Sequence, residues 1–350
     1  MPELTFDGPI NLASKAWDLP TMPLLETKDL KLDFGAGAEA LRAGRRGTGP
    51  AVFRHRLVRV GAAIVLFLGL LALAAPELTR LHVLKEPIQQ DQKGLDADGM
   101  PLPPGGGYLL GTDNLGRDVL SRVIYGARVS LTIGTSAMLL AVFLGLAVGL
   151  MAGFYGGKLD LGLMRFTEIN MTIPAILLAI AFAGLMDGRQ IHPYPAAWQW
   201  HFLDLQLKRG MVSLFLIIGF VCWPGMVRVI RAQVLALKER DFVQAARALG
   251  ASNTRVIWRH ILPNLLPTVI VLAAMTTANT ILLEAGLGYL GIGVPPPTPT
   301  WGTMIADGQP YFVSAPMIVI APGVAIVLTV LAFNLIGQGL QEVLNPNQKR

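Results

Sequence analysis

Residues able to do chemistry are few in this chain, and their spacing argues against most enzymes. Five histidines (His55, His82, His192, His201 and His260) are scattered, and no two have the HExxH spacing of a zinc-binding helix. The single cysteine, Cys222, leaves no disulfide framework or thiol cluster to build on. Gly286, Gly288 and Gly291 spell GxGxxG. They follow a long apolar run, however, whereas a dinucleotide site needs a strand before the turn and a helix after it. The phosphate-loop spacing, Gly-x4-Gly-Lys followed by Ser or Thr, is absent. No nucleophile–base pair can be assembled. The expectation is a chain with no catalytic residue, no metal site and no cofactor of its own.

The remaining chemistry is that of polar groups inside apolar runs. Such groups are costly in a bilayer and usually face a bundle interior or a wet cavity. In "MTTANTILLE", Thr276, Asn279, Thr280 and Glu284 share one broad helical face. They are the candidates to line the outer half of a solute path. Smaller clusters are Thr132, Thr135 and Ser136, and then Glu168, Asn170 and Thr172. Hydroxyls often bond back to their own helix, so Asn279 and Glu284 carry more weight. An ionised Glu284 must lie near the membrane boundary or be paired. In "GTDNLGRD", Asp113, Arg117 and Asp118 fit a local turn with a charge pair. The alternative is an outer gate or a contact for an extracytoplasmic protein.

These residues need elements to hold them, and the composition says which. Of 350 residues, 53% are hydrophobic and 15% are charged, against roughly a quarter charged in soluble domains. Uncharged runs cover 60–76, 129–157, 169–186, 210–227, 261–283 and 308–341. A helix needs about 20 apolar residues to cross a bilayer, so the class is an all-α polytopic membrane protein with six spans. Residues 1–52 read as a cytoplasmic extension without a cleavable signal. Residues 53–76 are the first span and 77–128 an extracytoplasmic segment. In that segment "DVLSRVIYGARVSL" reads as an amphipathic helix lying along the interface. Residues 129–341 are a five-span core with a loop at 228–260, and 342–350 are a cytoplasmic tail. With both termini inside, the inner segments hold 9, 2, 7 and 2 basic residues and the outer ones 6, 3 and 0. That bias supports N-in and C-in. It also explains the net charge of +6 without nucleic acid.

The inner loop contains "DFVQAARALGASNTRVIWRHILPN", residues 241–264. Phe242, Ala245, Ala246 and Leu249 recur at helical spacing as an apolar stripe. Gly250 follows as a left-handed helix end. Ser252 or Asn253 can cap a second short helix carrying Val256, Ile257 and Trp258. Pro263 is expected to break that helix before the fifth span begins. The stripe either rests on its own bundle or docks into a groove of a soluble partner.

These residues resemble the EAA loop of ABC-importer permeases. Gln244, Ala245, Ala246, Gly250, Leu262 and Pro263 stand at the matching places, with Gln244 where the family usually has Glu. "RHILPN", residues 109–131, "GLGYLGIGVPPPTPTWGTMI" (286–305) and "FNLIGQGLQEVLNP" (333–346) resemble the peptide and nickel branch. The resemblance covers about 53–346 and implies a type I ABC importer permease fold with a cytoplasmic coupling helix. It implies that 239–258 couples to an ATPase through Asp241, Gln244, Ala245, Ala246, Gly250, Arg255, His260 and Pro263, with Ala246 and Gly250 the tightest points. It also implies partners: a homologous second permease, two ATP-binding subunits or domains that hold ATP and magnesium, and an extracytoplasmic solute-binding protein. The solute would be a di- or oligopeptide or a related small molecule. The competing class is a secondary transporter, which couples through intramembrane ionisable groups and inverted repeats.

Overall fold

The computed structural model describes residues 52, 54–186 and 210–344. The expected 1–52 extension lies almost wholly outside the described residues, as does most of the tail. Five helices are long and apolar enough to span a membrane. They are α1 (Arg56–Arg80), α2 (Val119–Tyr155), α5 (Met211–Lys238), α7 (Asn253–Tyr289) and α9 (Met317–Leu344). A bent pair, α3 (Gly157–Thr172) and α4 (Ala175–Met186), which meet at 95°, makes a sixth if the two count as one broken span. The bend sits at Pro174. Proline removes a helical donor and pushes the residue before it out of the α region, and Ile173 is extended at ψ 127°. Two further short α-helices are α6 (Asp241–Ala248) in the loop and α8 (Trp301–Gly308) after α7.

The chain does not turn at the interface after residue 128. α2 is one helix of 37 residues beginning at Val119. At about 1.5 Å per residue it is roughly 55 Å long, well over a hydrocarbon core of about 30 Å. The amphipathic segment is the protruding first part of the span. Asp118 starts it by accepting hydrogen bonds from the Ser121 backbone N–H at 2.8 Å and the Ser121 hydroxyl at 2.6 Å.

The most intimate helix contact joins α2 to α5. Along α2, Ala137, Ala141, Gly145, Gly149 and Gly153 form one buried ridge at i+4 spacing. A Cβ on Gly145 would lie 2.6 Å from Met226 Cβ, one on Gly149 2.8 Å from Ile230 Cβ, and one on Gly153 2.8 Å from Val234 Cβ. Numbers rise together on both helices, so they run parallel, as alternate spans must. Small residues let the backbones close in where lipid supplies no hydrophobic drive between helices. The α3 end is tied to the same pair, because Arg231 donates two bonds to Asp160, each 2.6 Å. α1 packs antiparallel on α9, with Gly61 against Ile336 and Gly339 against Val58.

Candidate functional site

The loop between α5 and α7 is built as a rigid elbow. In α6, Asp241 lies in the first turn and Arg247 in the last, each on the favourable end of the helix dipole. Gly250 adopts φ +79°. Its N–H donates to the Arg247 carbonyl at 2.9 Å and the Ala251 N–H to the Ala246 carbonyl at 3.0 Å, the paired bonds of a Schellman end. Among the described residues, nothing lies within 4 Å of where a Gly250 Cβ would be. Glycine is therefore required there by its left-handed backbone, not by crowding within this chain. Ser252 caps the next helix by accepting from the Arg255 N–H at 3.4 Å.

One expectation for this loop changes, and one open alternative narrows. Pro263 does not break the chain of helices: α7 runs from Asn253 to Tyr289 through one wide π-turn, Ile257–Ile261. The Leu262 N–H reaches back to the Ile257 carbonyl. That extra residue in the turn gives the proline ring, next in sequence, room against the preceding turn. The elbow thus continues directly into a span. Secondly, the stripe Phe242, Ala245, Ala246 and Leu249 does not rest on the bundle. Phe242 is 43% exposed and Leu249 89%. Val243, between them, is the fully buried anchor, packed with Phe154, Ile230, Val234, Val256 and Ile261. Trp258 extends the open apolar surface at 66% exposed. Gln244 and Arg255 are also exposed, and Gln244 reaches Glu239 at 3.4 Å. His260 is half-buried beside the Phe242 ring, and its carbonyl accepts from Asn264 at 2.6 Å.

The polar face of α7 divides. Thr276 and Asn279 line a cavity of about 610 Å³ between α4, α5 and α7, with Ile176, Cys222 and Met275 among its apolar walls. Thr280 and Glu284 do not reach it. The Thr280 hydroxyl donates to the Gly134 carbonyl of α2 at 2.8 Å. Glu284 is fully buried, with the Ser130 and Thr300 hydroxyls as its polar neighbours. The four residues span an arc of roughly 140° at about 100° per residue, and the wall of the cavity cuts across that arc. Thr132 and Thr135 donate to the Arg128 and Leu131 carbonyls of their own helix, and Thr172 does the same to Ile169. Glu168 is exposed and pairs with Arg165 at 3.2 Å.

At the far end of α7, the three charges of "GTDNLGRD" separate into two jobs. Asp118 is the α2 cap. Asp113 closes a turn, accepting the Leu115 and Arg117 N–H groups at 2.9 and 3.0 Å and the Arg117 Nε at 2.7 Å. Arg122, one turn into α2, adds an ion pair to the same carboxylate at 3.1 Å and donates to the Pro87 carbonyl at 3.3 Å. All three side chains are buried. The reading of the sequence had not included Arg122. Its signal was there, since Arg122 lies four residues after the Asp118 cap, inside the helix that Asp118 begins. The GxGxxG glycines are also local: Gly291 ends α7 at φ +77°, its N–H donating to Gly288 at 3.1 Å and the Ile292 N–H to Leu287 at 2.9 Å.

Comparison with known proteins is consistent with this architecture. Residues 145–350 match the family described as binding-protein-dependent transport system inner membrane component. A protein of Brucella abortus biovar 1, named as a peptide transport system permease, is 38% identical over 91% of this chain and 95% of its own length. The dipeptide transport system permease protein DppC of Alkalihalophilus pseudofirmus is 35% identical over 85% of this chain and 88% of its own. The di/tripeptide transport system permease protein DppC of Pseudomonas aeruginosa is 39% identical over 69% and 73%. A chain of the MetNI methionine ABC transporter, solved in inward-facing conformations, aligns over 64% of this chain and 97% of its own. The TM-score is 0.49 at 18% identity, too loose a likeness to bear on function. The chain therefore belongs to the family of binding-protein-dependent transport system inner membrane components, and it is a multi-pass ABC-importer permease of the bacterial inner membrane.

Proposed function

We propose that this permease imports di- or oligopeptides, and that α6 is the handle by which ATP hydrolysis in separate chains moves it. Two ATP-binding subunits or domains sit beneath the 241–260 elbow in the cytosol, with both termini on that side. A homologous second permease closes the other half of the path, and an extracytoplasmic solute-binding protein delivers the peptide. ATP and magnesium belong to the ATPase chains. The 610 Å³ cavity, with Thr276 and Asn279 in its wall, is this subunit's share of the path.

The observation that carries the reading is the exposed apolar stripe of α6 on a buried Val243 anchor. An apolar surface flanked by Arg240 and Arg247 on a short rigid helix suits a groove in a partner. The elbow joins α5 and α7 without a flexible break, so displacement of α6 is transmitted to both cavity walls. The names of the relatives support a peptide as the solute. The test is reconstitution in proteoliposomes. This chain with its partner permease, ATPase and binding protein is expected to accumulate a labelled dipeptide only when ATP is supplied. Accumulation by the permease chains alone, or without ATP, would refute the reading.

A further inference from the structure

A second pocket, of about 370 Å³, lies at the end of α7 remote from α6. It is walled by Asn114, Arg117 and Arg122 on one side, Gly288 and Gly291 on another, and Asp307 of α8 on a third. The two motifs that the transport reading leaves over, "TDNLGRD" and "GLGYLG", meet here.

Three groups around this pocket are chemically unsatisfied. A guanidinium donates from three nitrogens. Arg117 spends Nε on Asp113, and its two terminal nitrogens have no acceptor among the described residues. Two guanidiniums share the one Asp113 carboxylate, which leaves one positive charge in excess. Asp307 is the charge that would balance it, yet it forms no ion pair with either arginine and stands across the pocket from them. A clasp whose purpose was folding would close that gap. Finally, Asn114 Oδ1 is buried without a donor. A buried acceptor left bare is costly, and Asn114 is among the residues that line the pocket.

Free N–H donors and a stand-off carboxylate are together complementary to a peptide carrying both end charges. We propose that this pocket is a solute site distinct from the α4–α5–α7 cavity, taking a zwitterionic dipeptide with its carboxylate on Arg117 and Arg122 and its ammonium on Asp307. The volume lies near the lower end of the roughly 300–1,000 Å³ usual for small-molecule sites, which suits a short peptide. The proposal rests on the chain being a peptide importer subunit.

The test uses the reconstituted importer without its binding protein, labelled dialanine, N-acetyl-dialanine and the variant Asp307→Asn. Asp307 stands at the pocket rim and forms no ion pair or hydrogen bond among the described residues, so the variant is expected to fold. Dialanine should bind saturably. Acetylation should weaken it about tenfold or more, the worth of a hydrogen bond to a charged group. Asp307→Asn should weaken dialanine by a like factor and leave the acetylated peptide unchanged. Saturable binding indifferent to Asp307→Asn, as occupancy of the Asn279 cavity would give, overturns the proposal. So does the absence of binding in a complex that still imports dialanine with ATP. Failure of the importer reading itself would look different: no ATP-dependent uptake by the complete system.

Discussion

Val243 and Leu249 sit six residues apart in the elbow, and their substitutions by alanine separate folding from coupling. Val243 is fully buried in the cluster that fixes α6 to α5 and α7. Val243→Ala removes two methyl groups, worth about 0.8 kcal/mol each in transfer. A cavity term is added because the surroundings relax only partly. A cost of about 2 kcal/mol is expected, seen as a lower unfolding temperature of the purified chain and a loosened handle. Leu249 is 89% exposed, so Leu249→Ala should leave the unfolding temperature where it was. If α6 docks in an ATPase groove, however, the leucine is buried there. Full burial of such a side chain is worth about 1.5–3 kcal/mol, which weakens the contact roughly ten- to a hundredfold. The assays are thermal unfolding of the isolated permease, and substrate-stimulated ATP hydrolysis and dipeptide uptake by the reconstituted complex. Leu249→Ala should uncouple without destabilising. Wild-type uptake and stimulation in that variant, at limiting ATPase concentration, would refute α6 as the handle.

Further outcomes follow from particular contacts. Cysteines placed at Thr276 and Asn279 should react with polar thiol reagents in some transport states, whereas those at Thr280 and Glu284 should stay protected in all of them; reactivity at all four would restore the undivided face. Gly149→Ala drives a methyl to 2.8 Å from Ile230 on the α2–α5 seam and should cost about 1–3 kcal/mol of stability. The control is Gly162→Ala, in α3 with open space around it, which should be neutral or stabilising by up to about 1 kcal/mol in thermal unfolding. Partial burial holds the Asp307 carboxyl above the ordinary carboxylate range, with Arg122 and Arg117 pulling it back and Asp113 pushing it further up. The charged form is the one that meets an ammonium. Dialanine affinity should therefore be complete above that raised value and fall away as pH drops through it, at a higher pH than for an ordinary aspartate. A titration of binding against pH that matched Asp307→Asn would contradict this.

Much of the loop was legible because its signals are local. Gly250 after a helical repeat and Ser252 before the next turn each act within a few residues, and each is found where the pattern puts it. What was not legible was which side of α6 faces the bundle. The apolar stripe of Phe242, Ala245, Ala246 and Leu249 suits its own bundle as well as a partner's groove, so the pattern leaves both open. The structure buries Val243, since the cluster it enters is assembled from Phe154, Ile230 and Ile261, remote in sequence. Pro263 misled for a related reason: a proline's cost falls when a wide turn precedes it, and no single residue announces that turn.

From the amino acids alone came the class, the apolar runs and the place of the loop along the chain, because hydropathy and helix-end chemistry are summed over neighbouring residues. Tertiary structure alone decided the rotation of each span about its axis. Inside a membrane the lipid-facing and core-facing sides are equally apolar, so polarity cannot orient a helix, and size must. The i+4 ridge from Ala137 to Gly153 turns α2 towards α5. The packing of α7 against α2 then sends Thr280 and Glu284 inward and leaves Asn279 on the cavity. The same packing brings Arg117, Arg122 and Asp307, nearly two hundred residues apart, around one pocket.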